Sequence, residues 1–85
     1  DSTAIEDLVR HVVSLSAQVD AVKDIRVRSS EDEISLEITV NVTPGKFNFR
    51  QLGKVQQKRV ASAVRYFTGM DIGSVDISIA EVVLP

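Results

Sequence analysis

Eighty-five residues with 44% hydrophobic and 26% charged content describe one small folded domain, because a disordered chain lacks the apolar area that offsets its conformational entropy. The absence of cysteine excludes disulfides, thiolate nucleophiles and cysteine-based zinc sites, and it fits a reducing interior. Net charge is only −2 but uneven: residues 1–42 carry nine acidic and four basic side chains, residues 43–85 three acidic and six basic, an asymmetry that can mark a binding face.

The first predicted element is a helix over residues 4–19. Thr3 and Glu6 have capping-box spacing, and Ile5, Leu8, Val9, Val12, Leu15 and Val19 recur every three or four residues as one apolar stripe. At residues 22–28 the period falls to two. Ile25 and Val27 then lie on one face and Arg26 and Arg28 on the other, as a half-buried strand requires. Residues 29–33 are polar and turn-prone, so this strand and the next read as a hairpin without the Asn-Gly or Asp-Gly pair that marks the tightest turns. The second strand shows the cleanest alternation in the chain, with Ile34, Leu36, Ile38, Val40 and Val42 against Ser35, Glu37, Thr39 and Asn41. Thr43-Pro44-Gly45 ends it, since proline cannot donate to a sheet ladder.

A second helix follows, with Asn48 as N-cap, Gln51 completing a capping box and Phe47 placed to staple the entry. Its predicted stripe is Phe49, Leu52, Val55, Val60, Ala63, Val64 and Phe67, and Gly69 stops it. Val75, Ile77 and Ile79 make a third strand. Beyond it the alternation slips through Val82, Val83 and Leu84, which reads as a bulge, a strand end or an apolar tail in need of a partner. The expected fold is α+β, a two-layer sandwich of order α-β-β-α-β. It has a three-stranded mixed sheet with two helices on one face, across residues 1–85 as a single domain. The favoured strand order puts the first strand in the middle, with parallel pairing of the second and third strands as the alternative.

No catalytic or cofactor constellation stands out, and the chain is expected not to be an enzyme. His11 is the only histidine and lacks companions at ligand spacing. Ser14 and Ser16 lack a convincing base, Glu31-Asp32-Glu33 lacks a calcium-loop pattern, and the four glycines are too dispersed to cradle phosphate. Gly53 interrupts the second helix at a cost of about 1 kcal/mol relative to alanine, which suggests close packing against a neighbour, either within the domain or across an interface. The sharpest candidate for a partner-binding surface is basic: Lys46, Arg50, Lys54, Lys58 and, further round, Arg65. Tyr66 alone is a thin stacking platform for single-stranded nucleic acid, and the KH-like element order comes without a G-x-x-G loop, so nucleic acid is disfavoured as a partner.

The stretch from Phe47 to Val82 resembles the alkaline-shock-protein family. The residues that carry this are Gln56, Thr68-Gly69 and the V-D-I-S-I-x-x-V strand of residues 75–82. Ala4-Ile5-Glu6-Asp7-Leu8-Val9, Val22-Lys23-Asp24-Ile25 and Pro44-Gly45 are similar to the soluble domain of its membrane-anchor members. The resemblance implies a non-enzymatic, cofactor-free bacterial domain in a cell-envelope or alkaline stress role. Its implied partners are itself or homologous alkaline-shock-type proteins. It also implies a location at the cytoplasmic face of a membrane, held by an anchor N-terminal to Asp1. By itself the chain reads as a soluble excised domain or processed product, with no apolar run long enough to span a bilayer and no signal-peptide pattern. Two readings follow: a self-associating interaction module, or a KH-like module that binds nucleic acid or an anionic surface through its second helix.

Overall fold

The computed structural model describes residues 2–45 and 48–84. Its elements run α1 (Ser2–Ser14), β1 (Val19–Ser29), β2 (Glu33–Val42), α2 (Phe49–Thr68) and β3 (Asp71–Val82). The α-β-β-α-β order and the mixed three-stranded sheet are those expected from the sequence. β2 pairs antiparallel with β1 and parallel with β3, so β2 and not the first strand is central. The reason lies in burial. Ile34, Leu36, Ile38, Val40 and Val42 are all buried, whereas β1 buries only Ile25 and β3 only Val75, and a strand with neighbours on both sides hides its apolar face best.

Val9 and Val13 of α1, and Leu52, Val60 and Val64 of α2, close the core over this row. The helices run antiparallel on the same side of the sheet, with α1 over β1 and α2 over β3. The other side of the sheet stays open to water, carrying Arg26, Arg28, Glu37 and Asp76.

Helix α1 stops five residues earlier than its periodicity predicts. Leu15 and Ser16 close a turn onto the carbonyls of Val12 and Val13, and Val19 enters the sheet opposite Val42. Leu15 is left 67% exposed. At the other end the helix already includes Ser2, so Thr3 sits in its first turn and not at the cap. The Arg10 guanidinium ties the helix down by donating to the Val22 carbonyl at 2.9 Å. The hairpin closes through Ser30, whose N–H donates to the Glu33 carbonyl at 3.0 Å.

For α2 the start and stop signals hold. The Asn48 side chain accepts from Gln51 N–H at 2.8 Å. Gly69 adopts φ 72°, the left-handed conformation a side chain resists, and its N–H donates to the Arg65 carbonyl. Beyond Ile79 the slip in alternation is a bulge: Val40 pairs with Ile79 and Asn41 with Glu81, leaving Ala80 unmatched, and the strand then continues to Val82.

Candidate functional site

The inward stripe of α2 differs from the predicted one. Its buried residues are Leu52, Gln56, Val60 and Val64, spaced by four, while Phe49 and Val55 are exposed and Phe67 is 69% exposed against Tyr66 in an edge-to-face ring pair. A stripe with strict four-residue spacing is a single ridge along the helix, and a ridge is what fits the pleated sheet below. Gln56 is therefore carried into the core by geometry. The sequence reading used Gln56 only as a mark of resemblance; the four-residue spacing of Leu52, Gln56, Val60 and Val64 was the available signal for its burial.

Gln56 is 1% exposed, and neither its Nε2 nor its Oε1 has a hydrogen-bond partner among the described residues. It lines a cleft of about 180 Å³ between the first half of α2 and the turn that joins α1 to β1. Leu52, Val55 and Ala17 supply apolar wall, and the exposed Arg59 stands at the rim.

The basic row is where the helix period puts it. Arg50, Lys54 and Lys58 are exposed, and none forms an ion pair among the described residues. Arg65 instead reaches toward Asp71 at 3.8 Å across the helix stop. That carboxylate lies beside Glu33 in the β2–β3 pairing, so the guanidinium offsets a like-charge contact, weakly because all these groups are solvated. Lys46 and Phe47 lie outside the described residues.

The remaining candidates are dispersed. His11 is exposed on α1, Glu31 and Asp32 lie in an exposed bend that leads into β2 at Glu33, and among the described residues no three His, Asp or Glu side chains converge to hold a metal ion. Gly53 does not mark close packing: a Cβ built there meets nothing within 4 Å, which corrects the sequence-based expectation as far as the domain's own atoms go. No described helix is long and apolar enough to cross a membrane.

At its outer edge, β3 pairs with no other strand among the described residues. Its second half carries Ile79 at 37% and Val82 at 41% exposure, with Leu84 exposed just beyond. Gln57 of α2 donates to the Val75 carbonyl at 2.9 Å, fastening the helix to the first half of this edge strand. β1, the other edge, is bordered mainly by the charged side chains of Lys23, Asp24, Arg26 and Arg28.

No family model matches the chain, and no curated protein matches it. Solved structures of the MamM CTD do. A variant in its manganese form superposes with TM-score 0.66 at 18% identity, over 95% of this chain and 99% of that one. A copper form gives 0.66 at 18% identity, over 95% and 98%. A triple-substituted variant gives 0.64 at 20% identity, over 93% of each. Identity this low establishes a shared fold and nothing more. These neighbours overturn the resemblance to the alkaline-shock-protein family and, with it, the alkaline stress role and the alkaline-shock-type partners. They give no support to the KH-like nucleic-acid alternative either, which rested on element order and on the basic face of the second helix. The physical reason is visible in the residues that carried the resemblance. Thr68-Gly69 is a helix stop, with Thr68 Oγ1 donating to the Val64 carbonyl at 2.7 Å and accepting from Met70 N–H at 3.1 Å. The V-D-I-S-I run is an alternating strand. Both are demanded by this fold whatever the family.

Proposed function

We propose that this chain is a non-catalytic protein–protein interaction module, built like the MamM CTD and self-associating along the outer edge of β3. The observation that carries the reading is the β3 edge, unpaired among the described residues, whose second half exposes Ile79 and Val82 where a soluble sheet normally places charge. A second copy adding its own β3 satisfies the free backbone groups and covers the apolar end in one step. A specific interface covers about 800 Å² per partner. That is a modest share of the 5619 Å² the domain exposes. Structures of the MamM CTD in manganese, copper and cadmium forms belong to that protein; metal is not part of the reading for this chain, whose described carboxylates and His11 do not converge.

Light scattering over a concentration series tests it. The chain is expected to pass from monomer to dimer as concentration rises, and Ile79→Lys with Val82→Lys is expected to hold it monomeric with an unchanged circular dichroism spectrum. A wild-type chain that stays monomeric up to its solubility limit would falsify the reading.

A further inference from the structure

We propose that Gln57 sets the register in which two copies of this chain join, so that their β3 strands meet about a two-fold axis at Ser78. The inference rests on the self-association reading and names the alignment that the reading leaves open.

The backbone decides which residues can pair. Thr43 N–H donates to the Gln18 carbonyl on the β1 side at 2.8 Å, and the Val42 carbonyl accepts from Val83 N–H on the β3 side at 2.7 Å. Neighbouring residues of β2 thus direct their backbone groups to opposite sides. Every register shift in the two ladders falls on β1 or β3, so β2 keeps this alternation, and Val40, Ile38 and Leu36 point to β3 as Val42 does. In a parallel ladder, the residue opposite one that bonds across directs its own groups away. Val75, Ile77 and Ile79, opposite Leu36, Ile38 and Val40, therefore turn N–H and C=O to the outer edge.

Both ends of this outward row are closed. The Val75 carbonyl already accepts from Gln57 Nε2 at 2.9 Å, where Gln57 and Ala61 of α2 line one groove with Ile72 and Val75. Covering an edge in this way keeps another strand from adding to it. At the other end the bulge at Ala80 breaks the step: Val82, opposite Val42, points outward again, three residues from Ile79 instead of two. Ile77 and Ile79 are left as the in-step pair. An antiparallel second copy uses both when Ile77 of each lies opposite Ile79 of the other, which places the two Ser78 residues face to face on the axis. Centring on Ile77 instead takes the Val75 carbonyl of both copies and breaks two Gln57 bonds. Centring on Asp76 also sets two carboxylates against each other, which is unfavourable in a cross-strand pair. Ser78 is exposed, small and uncharged, and suits the axis.

Disulfide trapping tests the register, because the chain has no cysteine and a bond forms only where one is introduced. Ser78→Cys is the probe: residues opposite each other in a non-hydrogen-bonded antiparallel pair have Cα atoms about 4.5 Å apart, within disulfide reach. Ser74→Cys, exposed on the same strand, is the control, since at ~3.3 Å per residue its two copies lie about 26 Å apart in this register. In a glutathione buffer, at a concentration where light scattering shows the dimer, Ser78→Cys is expected to cross-link at least about tenfold faster than Ser74→Cys. Gln57→Ala frees the Val75 carbonyl and is expected to keep the dimer while moving the preference from Ser78→Cys to Ile77→Cys, a change that a merely structural Gln57 does not produce. A chain that stays monomeric at every concentration overturns self-association and this inference with it. A dimer that cross-links no faster at Ser78 than at Ser74, or that keeps its Ser78 preference in the Gln57→Ala background, overturns the register alone and leaves self-association standing.

Discussion

Consecutive turns of α2 bury three side chains equally well and give them opposite surroundings. Val60 and Val64 are wholly enclosed within the apolar core cluster, while Gln56, one turn earlier, is just as enclosed and finds no hydrogen-bond partner among the described residues. The contrast separates two things that burial usually joins. Helical period decides which side chain goes inward, and the surroundings decide whether that is favourable. At Val60 the two agree. At Gln56 they conflict, and the conflict sits where a cleft opens between α2 and the α1–β1 turn.

Breaking the favourable side should have the largest effect. Val60→Ala removes methyl groups from a site with no exposed surface and should lower the unfolding free energy by about 2 kcal/mol, measured by urea denaturation. A loss below a few tenths would mean that this turn is looser than its burial implies. The unfavourable side should respond in the other direction. Gln56→Leu replaces an unpartnered amide by a similar apolar volume and should raise stability by about 1 kcal/mol in the same assay; a clear decrease would show that the amide is satisfied and that the conflict is absent. Smallest is Gly53→Ala, which reports on a position of α2 near the cleft that touches nothing. With open space at its Cβ and a helical backbone, alanine should stabilise by roughly 0.5–1 kcal/mol, read as a rise in melting temperature. If the variant is stable but no longer associates, the space at Gly53 belongs to an interface between copies.

Much of the fold was legible because it is written in local periods. The unbroken alternation from Ile34 to Val42, the Asn48 start and the Gly69 stop of α2, and the slip after Ile79 each correspond to an observed strand, cap or bulge. What was not legible depends on distant partners. The apolar spacing of α1 continues smoothly through Leu15 to Val19, yet Val19 belongs to the sheet because Val42 is there to pair with it. Phe49, Val55 and Phe67 share helical spacing with the core, but a ridge of four-residue spacing leaves them at its flanks. Strand order has the same origin: nothing local in β1 or β2 says which of them β3 will join. For the candidate sites, charge was easy to place and burial of a polar side chain was not. Arg50, Lys54 and Lys58 could be put on one face from spacing alone, whereas the isolation of the Gln56 amide requires knowing every neighbour around it.

The parallel seam between β2 and β3 also has a consequence in time. Its pairs, from Glu33 with Asp71 to Val42 with Val82, form only after the whole of α2 has been made and laid across the sheet, whereas α1, β1 and β2 meet through short connections. Pairings between distant segments are the slow ones in folding. During synthesis, then, the most apolar strand of the molecule has one side unpaired until the twelve residues of β3 arrive. A chain stalled or cut before Asp71 would present that side to its neighbours, so the final strand acts as the seal on the domain as well as its outer edge.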